Sequence, residues 1–176
     1  DVYKRQTVGP FVTRFEGDVA RAANTKYAVS SCSGTAGLHL ALTAVGVSRD
    51  DLVILPSFTF IASANAIAHC GALPWLFDVS RESWTLDPEK LKKELQHEAE
   101  KIDGHLIHKK TGRRVVAIMP VYTLGQPADM DAIKEVAQQY QIPVIADAAA
   151  ALGSRYKGNN IGSLADLTVF SFNGNK

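Results

Sequence analysis

Cysteine is scarce, with Cys32 and Cys70 the two in 176 residues, so the chain is no disulfide framework and reads as belonging to a reducing, cytosolic setting. An excess of charge of either sign is also missing. The 19 basic and 18 acidic side chains leave a net charge of +1, which gives nucleic acid or an anionic membrane no electrostatic footing as a partner. No basic segment followed by an apolar stretch opens the chain, so no secretory signal is visible. Repeats, low-complexity segments and long linkers are absent, and no metal site is expected.

The run from Leu52 to Phe77 lacks Asp, Glu, Lys and Arg and so raises the question of a membrane span. Pro56 and Pro74 interrupt it, and Asn65, His69 and several hydroxyls would be costly in lipid. It reads instead as buried strand, helix, strand. With 46% apolar and 21% charged residues the composition is that of a globular domain large enough for a real core. Both ends look artificial: Asp1 to Gln6 reads as a translated library adapter, and the chain stops at Lys176 directly after an apolar run. The expectation is a non-native segment over 1–6 and a fragment of a larger protein over 7–176.

Strand-like and helix-like segments alternate, which argues for an α/β layer structure around a mostly parallel sheet. Strands are expected at Tyr27–Ser31, Leu52–Leu55, Leu73–Val79, Val115–Met119, Pro143–Ala146 and Leu167–Phe172. Helices are expected at Phe15–Ala23, Thr35–Val45 and Phe58–His69. A further helix is capped by Asp87 before Pro88 and runs to about Glu100. The last is capped by Asp129 and presents Met130, Ile133, Ala137 and Tyr140 at helical spacing. His105 to Arg114, with four cations around Thr111-Gly112, reads as a solvated turn, or else as a contact for a substrate diphosphate.

Three places carry candidate chemistry. Ser31-Cys32-Ser33-Gly34-Thr35-Ala36 lies between a strand and a helix start, where free N–H groups and the helix dipole favour an anion; alone, it could be a plain capped turn. Asp147 ends an apolar strand, at the edge where α/β proteins bind ligands, although a lone acid there could be a helix cap. Lys176 follows Phe170-Ser171-Phe172-Asn173-Gly174-Asn175 and by itself would pass for a surface cation. Together they are the set that pyridoxal phosphate requires: an amine, a phosphate anchor, and an acid for the pyridine nitrogen.

The runs SSCSGTAGLHLAL, PSFTFIASANAI, PVYTLGQPADMDAI, DAAAALGSRYKG and FSFNGNK, in that order, resemble the DegT/DnrJ/EryC1/StrS aminotransferases of fold type I. The resemblance spans Gly9 to Lys176, and FSFNGNK with KKTGRR is similar to the branch that aminates nucleotide-linked sugars for legionaminic-acid-type and surface-glycan pathways. It implies a three-layer fold type I large domain, incomplete at its C-terminus, and transfer of an amino group from glutamate to a nucleotide-linked ketosugar. It further implies pyridoxal 5′-phosphate as cofactor and a homodimer with the site at the interface. By the same resemblance Lys176 is the Schiff-base lysine and proton carrier, Asp147 holds the ring nitrogen, Gly34, Thr35 and Ser171 hold the phosphate, and Phe60 stacks on the ring. The lysine is present rather than replaced by His, which separates the chain from the family's dehydratases. Relatives usually carry His, Gln or Glu three residues after the aspartate, where this chain has Ala150. The alternatives are another fold type I enzyme, such as a cysteine desulfurase or aldolase, and a non-catalytic cofactor- or nucleotide-binding module.

Overall fold

A computed structural model describes residues 9–174 and 176; the proposed adapter, 1–6, lies outside them. Strand β1 (Leu52–Pro56) is buried along its whole length. Its continuous apolar run is explained by a sheet covered on both faces. Leu52 and Ile54 enter one core and Val53 and Leu55 the other, the two-residue period of a strand. Parallel β2 (Leu73–Phe77) pairs on one side, from Leu52 against Leu73 to Pro56 against Phe77.

On the other side of β1 lies the parallel strand that follows a short hairpin, β3 (Ala99–Ile102) and β4 (His105–His108). This strand is β5 (Val115–Ile118). Its register slips by one residue at Val116, between the Leu52–Val115 and Val53–Ala117 pairs. Val115 and Ile118 therefore face the same core although three residues apart. Parallel bridges Ile118–Val144 and Val121–Asp147 join β5 to β6 (Ile145–Asp147). A small hairpin, β7 (Arg155–Tyr156) and β8 (Asn159–Asn160), then leads to β9 (Leu167–Val169), parallel to β6. The order β2-β1-β5-β6-β9 is parallel throughout.

Helices cover both faces. On one, α2 (Gly34–Ala44) and α3 (Ile61–His69) bury Leu38, Leu42, Ala66 and Ile67 against Val53, Leu55, Met119 and Ile145. On the other, α4 (Pro88–Glu98) and α5 (Met130–Tyr140) bury Leu91, Leu95, Met130 and Ile133 against Ile54, Phe77 and Ile118. The Asp87 carboxylate accepts from the Glu89 and Lys90 N–H groups, and that of Asp129 from Ala132, so both acids do cap their helices. This is the expected three-layer α/β architecture, and no helix among the described residues is long and apolar enough to cross a membrane.

Several boundaries differ from the sequence reading. Helix α1 (Pro10–Ala23) starts at its proline, five residues ahead of Phe15, because proline is pre-shaped for the first helical position. Tyr27–Ser31 is not a strand. It has no paired neighbour among the described residues, and Ser30 bonds to the Glu16 carboxylate on α1 through N–H (2.8 Å) and hydroxyl (2.9 Å). Those two donors hold the Glu16 carboxyl below its usual range. The PSFTF segment stays out of α3, which begins at Ile61, and β2 is an edge strand with Leu73 and Leu76 exposed. The helix expected to reach Glu100 ends at Glu98, where β3 begins.

Candidate active site

The carboxyl ends of β1, β6 and β9 all point to one rim, and the residues singled out from the sequence gather there. Asp147 closes β6 and is 5% exposed. Its Oδ1 accepts from the Ala149 N–H at 3.1 Å and its Oδ2 from the Ser63 hydroxyl at 2.6 Å. Its backbone is fixed as well, with its N–H donating to Pro120 and its carbonyl accepting from Tyr122. Among the described residues no cationic side chain pairs with this carboxylate. A buried carboxylate without a cation is ready for one supplied by a ligand.

The N-terminus of α2 faces the segment after β9. The Ser33 side chain accepts from Ala36 N–H at 3.1 Å. That cap leaves the earlier N–H groups, Gly34 and Thr35, as the open donors of the helix end. A Cβ on Gly34 would stand 3.1 Å from Ser171 Cβ and 3.3 Å from its Oγ, so Gly34 and Ser171 are in direct apposition. Thr35 sits in the same first turn. The approach is maintained by Gly37, where a Cβ would lie 3.0 Å from Val169 Cγ1 on β9.

Phe60 precedes α3 and is 71% exposed, so its ring is a free face at the rim and no core aromatic. Lys176 Nζ lies 5.5 Å from the centroid of that ring. The lysine's own N–H donates to the Asn173 carbonyl at 2.9 Å. Phe172 packs edge-to-face on Phe15 at 4.9 Å, tying this segment to α1. The six predicted positions are thus on one rim: Gly34 meets Ser171, Phe60 meets Lys176, Asp147 meets its donors, and Thr35 lies in the first turn of α2 beside Gly34. The set fits an aromatic phosphate cofactor: an open helix end for the phosphate, an unpaired buried carboxylate for a protonated ring nitrogen, an exposed ring, and an amine.

The sequence reading missed Ser63 and Thr59, the latter's Oγ1 being 2.8 Å from Ser63 Oγ. Their i, i+4 spacing at the entry to α3 was the signal available. The reading of the basic patch is corrected in part: His105–His108 is strand β4, with Leu106 and His108 buried, while Lys109 to Gly112 form the expected exposed turn. Arg114 is engaged by Asp51, at 2.9 Å (Nε) and 2.8 Å (Nη2), and Arg113 faces Asp50 at 3.6 Å. These pairs sit at the amino ends of β1 and β5, at the opposite end of the sheet from Asp147. Ala150 is exposed on the turn that follows Asp147.

Comparison with known proteins agrees with this fold. The model of the DegT/DnrJ/EryC1/StrS aminotransferase family matches residues 3–176. The chain is 44% identical to GDP-perosamine synthase of Caulobacter vibrioides, over 97% of its own length and 42% of that protein. The crystal structure of 3-amino-5-hydroxybenzoic acid synthase superposes with a TM-score of 0.82 at 33% identity, covering 96% of this chain and 40% of that one. NtdA of Bacillus subtilis with bound PMP gives a TM-score of 0.80 at 28% identity, covering 95% and 34%. The chain thus spans about two fifths of the length of the curated relative it matches at 44% identity.

Proposed function

Because this chain belongs to the DegT/DnrJ/EryC1/StrS aminotransferase family, we propose that the full-length protein moves an amino group, from glutamate, to a ketosugar carried on a nucleoside diphosphate. The observation that carries the reading is the buried, cation-less Asp147 carboxylate on the same rim as the open end of α2 and Lys176. The likeness to GDP-perosamine synthase supports the nucleotide-linked substrate and a role in surface-glycan or related sugar synthesis.

Pyridoxal phosphate, when bound, supplies the electron sink for the pair released at the amino acid's α-carbon. Asp147 pairs with the protonated ring nitrogen. Gly34 and Thr35 offer N–H groups, and Ser171 a hydroxyl, to the phosphate. Phe60 covers one ring face. Lys176 is the amine that attaches the cofactor and then carries a proton between the donor carbon and the cofactor. Residues 7–176 would be the first part of the cofactor-binding domain, in a cytoplasmic homodimer. The free thiols of Cys32 and Cys70 and the exposed Phe60, Trp84 and Leu124 around the rim support that setting.

The test is borohydride reduction of the cofactor-loaded, full-length protein followed by peptide mass mapping. The pyridoxyl group should be found on Lys176. Recovery on Lys157 or Lys26 would overturn the assignment. Lys157 is already engaged by Asp131 and Tyr156, and Lys26 lies over the Tyr27 ring.

A further inference from the structure

The hydroxyls of Thr59 and Ser63, which run to Asp147, are given no role above. Ser63 is fully buried on α3, one turn past Phe60, and its Oγ is 2.6 Å from Asp147 Oδ2. An ionised carboxylate only accepts, so Ser63 donates its single proton there. The 2.8 Å contact with Thr59 must then be donated by Thr59, whose other acceptor, the Phe60 carbonyl, is farther at 3.3 Å. The relay therefore has one direction, Thr59 to Ser63 to Asp147. With Ala149 N–H on Oδ1, each carboxylate oxygen holds one donor and the plane of the group is fixed. Donors on both oxygens leave the remaining lone pairs for a partner at the rim. An aspartate lacking the Ser63 bond could turn about its last torsion, which is broad for a carboxylate.

We propose that Ser63, backed by Thr59, is a positioning residue: it holds the Asp147 carboxylate in the orientation that meets the cofactor's ring nitrogen. The inference rests on the role proposed above for Asp147. The relay also joins the two sides of the ring contact, since Thr59 is the neighbour of Phe60 in the loop that carries the ring face. A hydroxyl rather than a methyl at position 63 is what the geometry asks for, because the 2.6 Å contact needs a donor there.

The experiment loads the full-length protein with pyridoxal phosphate labelled with nitrogen-15 in the ring. The ring-nitrogen resonance is recorded together with kcat, KM for glutamate and the thermal midpoint. Asp147→Asn marks the position of a ring nitrogen without its acid. Ser63→Ala should fold and take up cofactor, shift the resonance toward that of Asp147→Asn, and lower kcat about tenfold with KM little changed. Ser63→Thr, which keeps the hydroxyl, should restore both. Should Ser63→Ala fail to fold, Thr59→Val decides, with a smaller shift in the same direction expected. An unmoved resonance and kcat in the variant that folds would overturn the positioning role. A resonance that Asp147→Asn itself leaves unmoved would overturn the reading of Asp147 on which the inference depends.

Discussion

At the scale of single residues, the oddest group is the Tyr122 hydroxyl, which is buried and has no hydrogen-bond partner among the described residues. Burial, with the Tyr156 phenol nearby, pushes its ionisation well above the ordinary tyrosine range. The folded protein therefore keeps this phenol neutral where the unfolded chain would lose its proton. The resulting stability is whole below about pH 10, the ordinary phenol value, and drains away as pH rises beyond it. Tyr122→Phe removes an orphan polar atom without stranding a partner. It should raise stability by about 1 kcal/mol at neutral pH and flatten the alkaline decline, as read by denaturant unfolding at neutral and alkaline pH. Nothing in PVYTLG announced such a residue, because period and propensity say where a side chain points and not what it meets. Asp147 and Gly34 were legible for the opposite reason. Their setting is local: the end of a strand and the start of a helix, where the chain itself exposes unpaired backbone groups.

Among elements, the most sterically demanding contact is that of α1 with the turn Ile161–Ser163. A Cβ on Gly162 would fall 2.5 Å from both the Cβ and the carbonyl oxygen of Ala23, at an ordinary backbone angle. Gly162→Ala should therefore cost about 1–3 kcal/mol by overpacking and free the amides of α1 to exchange first. Gly153→Ala is the control, since Gly153 has φ +90° and nothing within 4 Å of a Cβ, so strain alone would act there. Equal exchange rates in α1 for the two variants would count against the packing argument. The helices were readable because their caps, prolines and apolar stripes are written within a few residues. Long apolar strands such as β1 were readable too. Tyr27–Ser31 misled because strand character needs a neighbour to bond with, and neighbours are not a local property. The β3–β4 hairpin was hidden for a related reason: its turn, Asp103-Gly104, carries two positive φ angles, and its second strand opens the His105–Arg114 stretch, whose charges suggested solvation or a diphosphate contact.

For the molecule as a whole, a group of exposed apolar side chains lies where the site is. Phe58, Phe60, Trp84 and Leu124 ring the carboxyl edge, and Tyr27 and Val29 lie on the unpaired segment ahead of α2. A surface of this kind asks for a covering partner. The 176 residues by themselves should self-associate in sedimentation velocity, bind a hydrophobic dye and fail to turn over glutamate with nucleotide-linked ketosugars. A monodisperse, dye-silent monomer would refute the first part, and multiple turnovers the second. The β3–β4 hairpin presents the other side of this arrangement. It adjoins the amino ends of the strands, where Ile107 bridges Arg114, Arg114 grips Asp51 and Lys101 reaches Gln141. The fold thereby separates what may vary from what must not. Lengthening, trimming or labelling the Asp103-Gly104 tip would act on the far edge of the sheet, so that a reporter group or a graft can be carried there while the chemistry at the opposite edge stays untouched.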